Sequence, residues 1–126
     1  MTPLLLLSFD CDGTLWCGRH PGPVSEDVFL GLLRSESAVV GITGNWKRCP
    51  HAAAWGDGYW LLKDGGGWER KAAEKERVLR WAGAKFFTPV RIHVGDEEPD
   101  RLAAERAGWL YLTPEAFVAH TAAPLG

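Results

Sequence analysis

Residues 4–16 read LLLLSFDCDGTLW, and this stretch decides the fold. Leu4, Leu5, Leu6, Leu7 and Phe9 make a near-continuous apolar run, as expected of a parallel strand buried on both faces. Asp10 and Asp12 follow where such a strand runs into a loop. In open α/β sheets, ligands bind in the crevice beyond the carboxyl ends of the strands. Gly13 permits a sharp exit, because glycine adopts positive φ at little cost. Two carboxylates held there suit a hard cation such as Mg²⁺ together with a phosphate. Either one could also act as a nucleophile and form an aspartyl-phosphate. Taken alone, the pair is more simply two solvated acids at a turn; the rest of the chain reverses that balance.

Outward from this run, short apolar stretches alternate with longer amphipathic ones, the pattern of βα units on a parallel sheet. Strands are expected at Leu4–Phe9, Ala38–Ile42, Tyr59–Leu62, Val90–Val94 and Trp109–Leu112. Ser25 is placed to cap a helix reaching Leu33, with Glu26 and Asp27 in its first turn, where the dipole favours anions. A shorter helix is expected over Trp46–Trp55 and a longer one over Glu69–Ala82, ended by Gly83. Another should span Pro99–Ala107 and stop at Gly108, and Pro114 opens a last one at its favoured first position. The expectation is a single α/β domain over residues 1–126. It would be a three-layer, Rossmann-like fold with a mostly parallel five-stranded sheet and helices on both faces.

Three strand ends carry polar residues suited to chemistry: Asp10-x-Asp12, then Thr43-Gly44-Asn45, then Gly95-Asp96-Glu97-Glu98-Pro99-Asp100. In a parallel sheet these ends point the same way and converge on one crevice. DxDGTLW, an apolar run ending in Thr-Gly, a helical lysine and GDxxxD, in that order, resemble the four motifs of the haloacid dehalogenase-like phosphatases. The resemblance runs from Leu4 to about Leu112. The DGTLW stretch is similar to that of the family's small magnesium-dependent phosphatases.

The resemblance implies a role for each group. Asp10 would attack phosphorus, and Asp12 would protonate the leaving oxygen and then deprotonate the hydrolytic water. Mg²⁺ would be held by Asp10, the Asp12 backbone carbonyl and Asp96, with Asp100 acting through water or orienting the shell. The Thr43 hydroxyl and Gly44 N–H, with Asn45 beside them, would hold the phosphoryl oxygens. Lys71 would neutralise the charge growing on those oxygens and on Asp10, with Lys63 and Lys75 as alternatives. Plainer readings remain beside these: Thr43 as a helix cap, Lys71 as a surface lysine, Asp96 and Asp100 as an acidic helix start. Glu97 and Glu98 look spare.

In this superfamily, inserted cap modules select small substrates. Too few residues separate Asp12 from Thr43, or Asn45 from Lys71, to hold one, because a helix and a strand fill each gap. An open, uncapped site suits a phosphorylated small molecule or macromolecule. The loop Trp16–Pro23 would form its rim, with Arg19 placed to pair with a second anionic group. Cys17, His20, Cys49 and His51 form a second cluster that could bind Zn²⁺, although their spacing matches no recognised finger.

Bulk composition narrows the remaining choices. A net charge of −2 and a pI near 6.1 give no electrostatic case for nucleic acid or an anionic membrane. The mean hydropathy of −0.14 is ordinary for a globular protein. Three cysteines make an odd set, against a disulfide framework. The N-terminal leucines are too few for a signal peptide core and lack a basic flank, so a cytoplasmic protein is expected. Of the tryptophans, Trp46, Trp55, Trp60 and Trp68 fall where they could line a cleft.

Two other functions compete with phosphatase activity. A phosphate- or nucleotide-binding regulatory module would keep the site without turnover, but Asp12 would then be dispensable. A phosphoacceptor receiver domain also combines acids, Mg²⁺, Thr and Lys. There the acceptor aspartate ends a later strand, with its acidic partners ahead of it, opposite to the order here.

Overall fold

The computed structural model describes residues 3–44, 49, 53, 55–57 and 67–122. Its parallel sheet has four full strands: β1 (Leu5–Phe9), β2 (Ala38–Thr43), β4 (Val90–Val94) and β5 (Leu110–Leu112). A two-residue piece, β3 (Gly56–Asp57), pairs with the end of β2, giving the order β3-β2-β1-β4-β5. The expectation of a mostly parallel five-stranded sheet is therefore corrected to four full parallel strands and this two-residue piece. The expected third strand, 59–62, lies outside the described residues, and the segment that does pair is a glycine and an aspartate, both poor strand formers. The helix expected over 46–55 is not borne out at its described positions, since Cys49, Ala53 and Trp55 are all non-helical. Trp55 runs alongside β2 instead, its carbonyl accepting from Ile42 N at 3.0 Å.

β1 lies between β2 and β4, and its side chains alternate between two cores because successive residues of a strand face opposite ways. Leu7 and Phe9 join Val40, Ile42 and Val94 on one face, packed by Phe29 and Phe117. Phe9 meets both phenylalanine rings edge-on, with centroids at 5.7 and 5.2 Å. Leu6 joins the other face, with Trp55, Val78, Leu79, Ala82, Ala103 and Ala104. Helices thus cover both faces, α1 (Glu26–Arg34) and α4 (Pro114–Ala122) on the first, α2 (Trp68–Lys85) and α3 (Glu98–Ala107) on the second.

The helix ends follow local chemistry. Ser25 Oγ accepts from Val28 N at 3.3 Å, as an N-cap should. Gly108 closes α3 in the left-handed conformation at φ 78°. Helix α2 runs past the expected stop at Gly83 to Lys85, because Gly83 keeps ordinary helical backbone and the chain leaves only at Phe86. No described helix is long and apolar enough to cross a membrane.

Candidate functional site

The strand order puts the ends of β1, β2 and β4 side by side, and the polar residues following them meet in one small cleft. Asp10, Asp12, Lys71, Lys75 and Glu97 line it. Beyond Asp10 the chain turns sharply and folds back, Trp16 N donating to Val24 O at 2.9 Å and Val24 N to Thr14 O at 3.0 Å. Leu15 and Val24 are fully buried and anchor this loop to the core. Its turn depends on Gly13, at φ 78°, where a Cβ would stand 2.1 Å from Asp96 Oδ2. The missing side chain is therefore what lets the β4 loop bring Asp96 against the β1 loop.

The carboxylates of Asp10, Asp96 and Asp100 offer oxygens all within 4.8 Å of one another. The lysine that contacts two of them, Asp10 and Asp100, is Lys75, not Lys71. Lys75 Nζ donates to Asp10 Oδ1 at 2.8 Å, to Asp100 Oδ1 at 2.7 Å and to Thr43 O at 3.5 Å. Lys71 sits one turn earlier on α2, at the cleft mouth, 3.8 Å from Glu97. The helix direction explains the exchange: the turn holding Lys75 packs beside Ala72, Val78 and Leu79 against the sheet, while Lys71 lies nearer the exposed N-terminus.

Two carboxylates on one ammonium, with Asp96 beside them, set the protonation of the site. Burial and the Asp100 charge push the Asp10 carboxyl well above its ordinary value, and Lys75 only partly offsets them. Burial and the Asp100 and Glu97 charges also raise Asp96, against a hydrogen bond it shares with Asp10. Asp100 goes the other way. Burial alone would raise it, but the Lys75 charge and the His93 hydrogen bond hold it well below the carboxylate range. Burial works against the Lys75 charge as well, and the two carboxylates outweigh it. Asp100 is thus the firm counter-ion of Lys75, while Asp10 and Asp96 share a site short of positive charge. A divalent cation fits there: hard oxygen donors are present and Lys75 offsets only part of their repulsion.

Asp12 lines the cleft, and its Oδ1 accepts from Arg19 N at 2.6 Å. Arg19 thus reaches the site through its backbone, and its exposed side chain is not among the cleft-lining residues. The Thr43 hydroxyl does not face the cleft. It is fully buried, 2.7 Å from Ser8 Oγ, and accepts from Trp55 Nε1 at 3.2 Å. The reason is strand parity: Thr43 is on the face of β2 turned toward α2, the same face as Ser8 of β1. Gly44 does sit at the site, its backbone so close that a Cβ would be 2.7 Å from Asp10 Oδ1. Asn45, His51 and Lys63 lie outside the described residues.

Asp100 is completely buried, with Oδ1 bound by Lys75 and His93 and Oδ2 accepting from Glu97 N at 3.2 Å. These contacts make it a holder of Lys75 more than a metal ligand. Of the proposed zinc set, Cys17 and Cys49 are neighbours that share a hydrogen bond. His20 is exposed and does not gather with them; among the described residues the only grouping of potential ligands is the aspartate one. Trp68 is exposed and Trp55 is buried under the site.

Sequence reading passed over Ser8 and His93. His93 Nε2 lies 2.8 Å from Asp100 Oδ1, and its Nδ1 lies 3.0 Å from Ser8 Oγ. A signal existed for Ser8, the lone polar residue of its strand LLLSF; His93 shares its strand, VRIHV, with Arg91 and stands out less. The chain matches no family model, no curated protein and no solved structure.

Proposed function

We propose that this chain is a Mg²⁺-dependent phosphatase of the haloacid dehalogenase-like kind, uncapped and built on a three-layer Rossmann-like core. The observation that carries the reading is the contact of Asp10 with Lys75 at 2.8 Å in a cleft also lined by Asp12, with Asp96 alongside. Asp10 and Asp96 would hold the cation, which when bound offsets the like-charge repulsion between a carboxylate and a phosphate dianion.

Asp10 attacks phosphorus and forms an aspartyl-phosphate, while the ester oxygen leaves with a proton from Asp12. Asp12, now a carboxylate, takes a proton from water as the water attacks that phosphorus, releasing inorganic phosphate and restoring Asp10. The hydrogen bond from Arg19 N fixes one Asp12 oxygen and leaves the other for proton transfer. Lys75 stabilises charge on Asp10 and the phosphoryl oxygens, and Asp100 keeps Lys75 in place. Lys71, at the mouth, is free of that duty and stands where the rest of a substrate would pass.

Phosphate release from p-nitrophenyl phosphate, with Mg²⁺ and then with EDTA, tests the proposal. Turnover should require the metal and vanish in Asp10→Asn; metal-independent turnover, or turnover in that variant, would sink it.

The inward hydroxyl of Thr43 favours a second reading, a phosphate-binding module of weak turnover, because one expected phosphate donor is committed elsewhere. Binding of BeF₃⁻ without hydrolysis of a broad panel of phosphate esters would select it.

A further inference from the structure

The groups beneath the cleft form an unbroken line. Trp55 Nε1 reaches Thr43 Oγ1 at 3.2 Å, Thr43 Oγ1 meets Ser8 Oγ at 2.7 Å, and Ser8 Oγ meets His93 Nδ1 at 3.0 Å. His93 Nε2 then meets Asp100 Oδ1 at 2.8 Å, and Lys75 bridges that oxygen to Asp10. Ser8, Thr43, His93 and Asp100 each have zero exposure, so no water completes these bonds from outside.

Hydrogen-bond chemistry gives the line a direction. An indole N–H can only donate, and an ionised carboxylate can only accept. With a neutral His93 ring, Thr43 accepts from Trp55 and donates to Ser8, Ser8 donates to His93 Nδ1, and His93 donates from Nε2 to Asp100. Every hydroxyl then donates once and accepts once, which is what a buried polar group requires. Ser8 and His93 are opposite one another in the β1–β4 register, and Ser8 is opposite Gly41, against which the Trp55 ring packs. The sheet itself thus fixes the spacing of the line.

We propose that Trp55, Thr43, Ser8 and His93 form one directed hydrogen-bond chain, and that His93 is the positioning residue that aims the Asp100 carboxylate at Lys75 and so sets the Lys75–Asp10 contact. His93 touches no substrate. It acts by denying Asp100 the freedom to turn away from the ammonium, as partners behind a site commonly orient the groups in it. The effect on catalysis rests on the phosphatase reading; the existence and direction of the chain do not.

The experiment has two arms for that reason. In the first, ring ¹⁵N NMR on the wild-type protein without substrate identifies His93, among the chain's four histidines, by its absence in His93→Gln. The expected result is a neutral Nε2–H tautomer with slow proton exchange, lost or mixed in Ser8→Ala. An Nδ1–H tautomer, a doubly protonated ring, or no change in Ser8→Ala overturns the chain.

In the second arm, kcat and KM for p-nitrophenyl phosphate with Mg²⁺ are compared across variants. His93→Gln, whose amide N–H replaces Nε2, should keep kcat within about threefold. His93→Asn, too short to reach Asp100, should lose about tenfold to a hundredfold in kcat with KM little changed. Ser8→Ala, a mild truncation, should fall between and guards against misfolding of His93→Asn. Equal kcat in the Gln and Asn variants, or losses that follow melting temperature alone, overturn the positioning role. A wild type with no Mg²⁺-dependent turnover refutes the phosphatase reading, and the first arm then still decides the chain.

Discussion

Lys71 and Lys75 occupy the same side of α2 one turn apart, yet only Lys75 reaches Asp10, at 2.8 Å, while Lys71 stays at the mouth beside Glu97 at 3.8 Å. The two therefore respond differently to removal. Lys75→Met leaves Asp10 and Asp100 buried together without a cation, and losing one member of such a set costs about 3–5 kcal/mol. The loss in stability, read by urea denaturation, should shrink as pH falls through the raised pKa of Asp10, because a proton on Asp10 relieves the repulsion. Turnover should disappear. Lys71→Met breaks only a half-exposed pair and should change stability by less than about 1 kcal/mol. It should retain kcat.

Asp10 gives the folded state a pH dependence of definite sign. Its folded pKa lies above the ordinary 3.8, so the folded protein binds the more protons between those values. Its contribution is thus fully present below the unfolded pKa and is lost as pH rises through the folded one. In EDTA, stability should fall over that window, and Asp10→Asn should remove the slope and be the more stable protein above the folded pKa of Asp10. Asp100, held below 3.8, acts oppositely: its contribution is present above that value and fades as pH drops beneath it. Chemical denaturation at a series of pH values reads both.

Mg²⁺ should compete with a proton. Asp10 and Asp96 are both raised, and a cation bound there favours their ionised forms over the protonated ones. Calorimetric titration of Mg²⁺ in two buffers of different ionisation enthalpy should show proton release, and affinity should rise with pH. Identical heats in the two buffers would argue against this pair as the binding site.

Gly13→Ala tests how the two loops meet. The left-handed backbone costs a side-chain-bearing residue about 1–2 kcal/mol, and the new Cβ would stand 2.1 Å from Asp96 Oδ2, so Asp96 must move. Mg²⁺ affinity should fall by about tenfold or more, measured by the Mg²⁺-dependent shift in melting temperature, with the fold retained by circular dichroism.

The thiols should be sluggish. Burial, then the neighbouring Cys49, pushes Cys17 up to about 12, and burial raises Cys11 further. Because the thiolate is the reactive form, both should resist iodoacetamide at pH 8 in the native protein and react promptly in urea, as mass spectrometry will show.

What the sequence determined by itself is the order and type of the elements outside the segment between β2 and α2, and the strand ends that carry the acids. Leu4–Phe9 is a largely apolar run of strand length, Val90–Val94 alternates β-branched with polar residues, Ser25, Pro99, Gly108 and Pro114 mark helix ends, and these are local signals that survive without knowledge of the neighbours. The tertiary structure alone decided which of several equivalent residues does what. Lys71 and Lys75 read alike along the chain, and only the packing of α2 on the sheet brings one to Asp10. Thr43 looked like a phosphate donor, and strand parity turned its hydroxyl inward to Ser8. Ser8 and His93 lie far apart in sequence, and their contact exists because β1 and β4 are adjacent with those two residues in register. Periodicity records which way a residue faces along its own element, whereas contact between elements depends on register and packing, which only the folded chain fixes.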